Sequence, residues 1–125
     1  MKEQLDLIDI LEKITAKDRR YKADAYLFVL NALNHTVSKL EKPRHVTGQE
    51  LSEGVREFAI DQFGPMARTV LESWGITATL DFGNIVFNLI DAKLLSKTEG
   101  DSLDDFKDVY DFNKTFDRAV KYKLE

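Results

Sequence analysis

A chain of 125 residues, 43% hydrophobic and 32% charged, has the balance of one globular domain that buries roughly two-thirds of its surface, not of a disordered tail. It contains no cysteine, which excludes disulfides, thiol catalysis and thiolate metal sites. The net charge of −4 divides as +2 over residues 1–46 and −3 over each of 47–98 and 99–125, so no segment has the strong basic excess of a phosphate-binding face.

From the start, Leu7, Leu11 and Ile14 recur at i, i+4, i+7 with Ile8 beside them, the pattern of an amphipathic helix. Met1 to Thr15 lacks the basic start and apolar run of a signal peptide. No run of about 18 apolar residues occurs anywhere, so no membrane span is predicted and a cytoplasmic location is expected. Between Tyr21 and Leu40, the residues Tyr26, Leu27, Phe28, Val29, Leu30, Leu33, Val37 and Leu40 cover most of a helix circumference. A helix apolar nearly all round is a buried one, so this stretch is predicted to be the central element, ending before Pro43.

Thr47-Gly48-Gln49-Glu50 fits a capping box, with a threonine hydroxyl and a glutamate three residues on. It opens a helix whose apolar face carries Leu51, Val55, Phe58, Ala59 and Phe63. Gly64-Pro65 breaks the chain and restarts it. Met66, Val70, Leu71 and Trp74 then continue at helical spacing until Gly75. Ile76 to Thr79 is short and rich in β-branched residues, which predicts a brief strand. Phe82, Ile85, Val86, Leu89, Ile90 and Leu94 form the clearest helical pattern in the chain. Turn formers gather at Glu99-Gly100-Asp101-Ser102, and Phe106, Asp108, Tyr110 and Phe112 alternate with Lys107, Val109 and Asp111. That predicts a β-hairpin with a long acidic loop, followed by a short helix over 113–122 with Phe116 and Val120 as its contacts.

Helix, tight turn, helix and hairpin over residues 65–112 resemble a winged-helix domain. The chemistry argues against DNA: between Thr79 and Leu95 the charges are Asp81, Asp91 and Lys93, and the would-be wing carries Glu99, Asp101, Asp104 and Asp105. Arginine and lysine are missing where phosphates and guanines would need them, and an acidic wing is repelled by the backbone it should grip.

Asp81-Phe82-Gly83 has the letters of the kinase magnesium triad without the rest of that machinery, and reads as a helix start with Phe82 packed inward. The acids from Glu99 to Asp111 lack calcium-loop spacing and read as a solvated loop. His35 and His45 stand ten residues apart with no i, i+4 partner, so a histidine metal site is not predicted. His35 reads as a packed or capping residue. His45, with Glu50 and Ser52 near in sequence, is a candidate acid or base. Arg19, Arg20 and Lys22 lie at one end of the central helix and Lys39, Lys42 and Arg44 at the other. They do not form one patch. No phosphate loop, nucleotide fingerprint or nucleophile elbow occurs.

Tyr26-Leu27-Phe28-Val29-Leu30, His45 to Leu51, Phe63-Gly64-Pro65-Met66-Ala67, Asp81-Phe82-Gly83 with Ile85-Val86-Phe87, and Lys107 to Phe112 together resemble a family of small bacterial proteins named for planctomycetes and verrucomicrobia. The similarity spans about residues 18–116. It implies a bacterial origin and no particular chemistry.

The expected architecture is one mainly α domain over 1–125: a helical half (1–63), a winged-helix-like half (64–116) and a tail (117–125). The expected function is a non-catalytic protein-interaction or adaptor module, without cofactor or metal. Its contact residues are expected among Arg19, Arg20, Arg44, His45, Asp101, Asp104 and Asp105. The alternatives are a nucleic-acid-binding regulator, or a small enzyme using His45 in a concave pocket.

Overall fold

The structure, a computed structural model, describes residues 2–42, 44–96 and 102–116, with side chains from residue 7 onward. Asp101, Glu99 and the tail beyond Phe116 lie outside the described residues.

Among the described residues, five α-helices carry the fold: α1 (Lys2–Lys17), α2 (Ala23–Ser38), α3 (Gly48–Phe63), α4 (Ala67–Ser73) and α5 (Thr79–Asp91). A 3₁₀ turn, Gly64–Met66, joins α3 to α4; a second, Leu103–Phe106, follows α5. The chain is compact and mainly helical, and no helix among the described residues is long and apolar enough to cross a membrane.

The central position of α2 follows from its composition: Ala25, Tyr26, Val29 and Ala32 are fully buried, and α1, α3 and α5 all pack against the helix. It is not buried all round, however. Leu27 is 39% exposed, and Leu33 and Val37 are only half-buried. The capping box forms as its sequence predicts. The Thr47 hydroxyl accepts from the Glu50 N–H at 3.1 Å, and the Thr47 N–H donates to the Glu50 carboxylate at 2.9 Å. At one end of α2, Phe28 meets Phe58, Phe63 and Trp74 at ring-centroid separations of 5.3, 5.5 and 5.4 Å. His35 packs on Phe58 at 5.1 Å.

Neither expected strand is found among the described residues. Ile76 is fully buried, but Thr77 and Ala78 already turn into α5, donating their N–H groups to the Asp81 carboxylate at 2.8 and 3.1 Å. Thr79 is helical, and its hydroxyl donates to the Phe106 carbonyl at 2.7 Å. The stretch read as the second hairpin strand is a 3₁₀ turn ending at Phe106, then turns, then a helical turn over 112–116. Asp108 takes a left-handed φ of 51°, which breaks any pleat, while Phe106, Phe112 and Phe116 all bury their rings. Most of the expected hairpin loop, residues 97–101, lies outside the described residues. Met66, expected on the inner face after Gly64-Pro65, is 54% exposed.

Candidate functional site

The elbow between α1 and α2 holds Arg19 and Arg20. Arg20 is tied down locally, its guanidinium donating to the Asp18 carboxylate at 3.0 and 2.8 Å and standing 5.2 Å over the Tyr21 ring. This hydrogen-bonded pairing holds Asp18 well below the usual carboxylate range. Asn88 on α5 donates to both Asp18 and the Tyr26 hydroxyl, at 2.9 and 3.0 Å. Tyr21 donates to Asp81 and accepts from Asn84. Burial pushes the Tyr21 and Tyr26 hydroxyls up, so both stay protonated. Every partner here belongs to the protein itself, and the network fastens α5 to the elbow. Arg19 is exposed beside it.

The other end of α2 is different. Leu33 and Val37 on α2, Val86, Phe87 and Ile90 on α5, and Leu95 just beyond it line one concavity of about 480 Å³. All six are half-buried, so each offers apolar surface to the cavity. Leu33 and Val37, and likewise Val86 and Ile90, are i, i+4 pairs and form ridges along their helices. The floor includes Val46, Leu51 and Phe106, all buried. The polar rim includes Arg44, His45, Thr47 and Asp105.

Three residues singled out from sequence, Arg44, His45 and Asp105, therefore meet at one mouth. Asp105 arrives by close packing of the second 3₁₀ turn on the start of α3. A Cβ on Gly48 would lie 2.8 Å from the Asp105 Cβ and 3.1 Å from its carbonyl oxygen, so only glycine lets the two backbones approach this closely. Asp104 sits beside it, exposed. Arg19 and Arg20 are not part of this mouth; α2 separates the two ends by about 24 Å.

Arg44 is paired. Its guanidinium grips Glu50 with two bonds of 3.0 and 2.7 Å and donates once more to the His45 carbonyl at 3.0 Å. That fork, helped by the Thr47 N–H, lowers Glu50 from 4.5 to about 2. A carboxylate whose folded value is depressed adds stability above its unfolded value and loses it as pH falls through the folded one. Stability should thus decline between pH 4.5 and about 2. Glu50→Gln keeps the cap acceptor and removes the titration, so acid unfolding followed by circular dichroism should show a shallower slope in that window. An unchanged slope would count against the pairing.

The sequence neighbours proposed to help His45 are not placed to do so. Glu50 is held ionised by Arg44, and Ser52 is fully buried and absent from the lining. Ser52 instead anchors the 102–116 segment: its carbonyl accepts from Tyr110 at 2.9 Å. Among the described residues, no group of three or more His, Asp or Glu side chains is placed to hold a metal ion.

No family model, curated protein or solved structure matches the chain. The site therefore has to be read from its own chemistry. Sequence reading missed its apolar lining, although a signal was present. Phe82, Ile85 and Leu89 of α5 are fully buried, while Val86, Phe87 and Ile90 extend the apolar arc beyond what that core uses. The same surplus is the reason α2 looked apolar all round.

Proposed function

We propose that this protein is a non-catalytic protein-interaction module, and that the groove between α2, α3 and α5 receives apolar side chains of a partner segment. The observation carrying this is the convergence of six half-buried, large apolar side chains in one concavity of about 480 Å³. Concave, mostly apolar surfaces with a few polar groups at the rim are where proteins take ligands. Two ridges of i, i+4 residues flanking a furrow suit the stripe of an amphipathic helix.

An enzyme using His45 is the second reading, favoured by one observation: His45 does line a concave site. It lacks the machinery that its sequence neighbours were to supply, because Glu50 is clamped by Arg44 and Ser52 is buried elsewhere. A winged-helix regulator of nucleic acid is not favoured: α5, its recognition helix, carries Asp81 and Asp91 and no lysine or arginine, so phosphate contacts would have to come from elsewhere.

The test is a nuclear magnetic resonance titration with a soluble helical peptide bearing leucines at i, i+4, i+7. Shifts should cluster on Leu33, Val37, Val86 and Ile90, and Val86→Ser should weaken binding roughly tenfold through lost apolar contact. Shifts scattered over the surface, or none, would overturn the reading.

A further inference from the structure

The groove's rim has a charge asymmetry that specifies its occupant further than apolarity alone. Among the described residues the cation on the rim is Arg44, and its charge is already paired: both arms of its fork hold Glu50, and one of them also donates to the His45 carbonyl. The carboxylate in the lining, Asp105, is not spent. Its described partner is the Ser102 N–H at 3.2 Å, within the cap of its own 3₁₀ turn. Among the described residues no ion pair reaches Asp105 or its neighbour Asp104. Asp105 stands beside a wall of valine, leucine, isoleucine and phenylalanine, and Asp104, next to it in the chain, is exposed. Low-dielectric walls focus a field instead of screening it.

We infer that the partner segment is a basic amphipathic helix, its apolar stripe in the furrow and a lysine or arginine at the stripe's border facing Asp105 and Asp104. This rests on the groove being the interaction site. An acidic segment would meet two uncompensated carboxylates and a guanidinium already committed to Glu50. A neutral one would leave Asp105, beside that apolar wall, without a counter-charge. The charge pattern thus acts mainly on selectivity between partners, which is where interfacial charge has most effect.

The probes are three labelled peptides with one leucine stripe and either lysine, glutamine or glutamate at the flanking positions, titrated by fluorescence anisotropy. The lysine peptide should bind roughly three- to fivefold tighter than the glutamine peptide, the span of one or two exposed ion pairs. The glutamate peptide should bind weakest. Asp104→Asn with Asp105→Asn should erase the ranking while keeping the cap acceptor at Asp105. Asp24→Asn with Asp61→Asn removes the same net charge at positions remote from the rim; Asp61 stands about 20 Å along α3 from Gly48. That pair should leave the ranking intact. If the rim variant proves unfolded by circular dichroism, the wild-type ranking must still collapse at high salt, because exposed charges are screened.

The inference falls if lysine and glutamate peptides bind equally, or if the remote pair erases the ranking as fully as the rim pair. It falls also if sedimentation shows two copies of this chain covering the groove. If none of the three peptides binds, the groove reading itself has failed, a result distinct from loss of charge preference alone.

Discussion

Phe82→Ala should lower the unfolding free energy by about 3–5 kcal/mol, the range for emptying a buried aromatic site. Against a whole-domain stability of roughly 5–15 kcal/mol, that leaves the variant near its threshold. The reason is position. Phe82 is fully buried in the first turn of α5 and its ring stands 6.1 Å from that of Phe112. One turn earlier, Thr79 donates to the Phe106 carbonyl and accepts from the Val109 N–H at 3.2 Å. Phe106 packs on Gly83 of α5, and Phe116 packs behind Phe112 with ring centroids 4.8 Å apart, so removing the Phe82 ring hollows the seat of the 102–116 segment. Two measurements check it: denaturant unfolding for the global loss, and hydrogen exchange at Val109, whose protection should fall more than that of α3 amides. Val86→Ala, at the groove, should cost about 1 kcal/mol, because its side chain is only half-buried and few contacts are lost. A Phe82→Ala loss as small as that of Val86→Ala would refute the packing account.

Helices were legible wherever period and punctuation agreed. Thr47 with Glu50 marks the start of α3, and Gly75 marks the end of α4. The run from Phe82 to Ile90 sets the inner face of α5, because a long repeat at 3.6 residues has only one way to bury itself. The segment 106–112 misled because alternation over seven residues is a short signal. The rings of Phe106, Phe112 and Phe116 reach the core through a 3₁₀ turn, a left-handed Asp108 and a helical turn, and those aromatic spacings carry no mark of it. The 76–79 stretch misled for a related reason. Its β-branched residues are a cap approach, and the informative letter was Asp81, whose carboxylate collects the Thr77 and Ala78 N–H groups. As for the site, Arg44, His45 and Asp105 could be named as chemistry-bearing, but Asp105 could not be read as a neighbour of the other two. Asp105 is brought to Gly48 by tertiary packing across more than fifty residues, which no local pattern encodes. Arg20 shows the converse: conspicuous in sequence, it is consumed by Asp18 two residues away.

Gly75→Ala should be nearly as damaging as the loss of Phe82, although it adds one carbon and removes nothing. Gly75 ends α4 with a φ of 96°. Its N–H donates to the Glu72 carbonyl at 3.0 Å, and the Ile76 N–H reaches back to Leu71 at 2.9 Å. These are the paired bonds of a glycine-terminated helix, accompanied by apolar contact between the residues they join; Ile76 and Leu71 are both fully buried. Substitution meets two separate penalties. An L-residue at this φ is strained by about 1–3 kcal/mol, and the new Cβ would lie 2.0 Å from the Arg20 carbonyl oxygen. That oxygen is backbone in the elbow held by Asp18, Asn88 and the Lys22 N–H to Trp74 carbonyl bond of 3.2 Å, so it cannot swing aside as a side-chain tip would. A combined loss of at least about 2–4 kcal/mol is expected. Gly75→Asn separates the two penalties. Asparagine tolerates left-handed backbone better than alanine but carries the same Cβ, so it should recover little; recovery to within about 0.5 kcal/mol of wild type would show that backbone strain, not the clash, governs the position. Peptide affinity per folded molecule should stay unchanged in both variants, because the groove lies at the far end of α2 from this elbow.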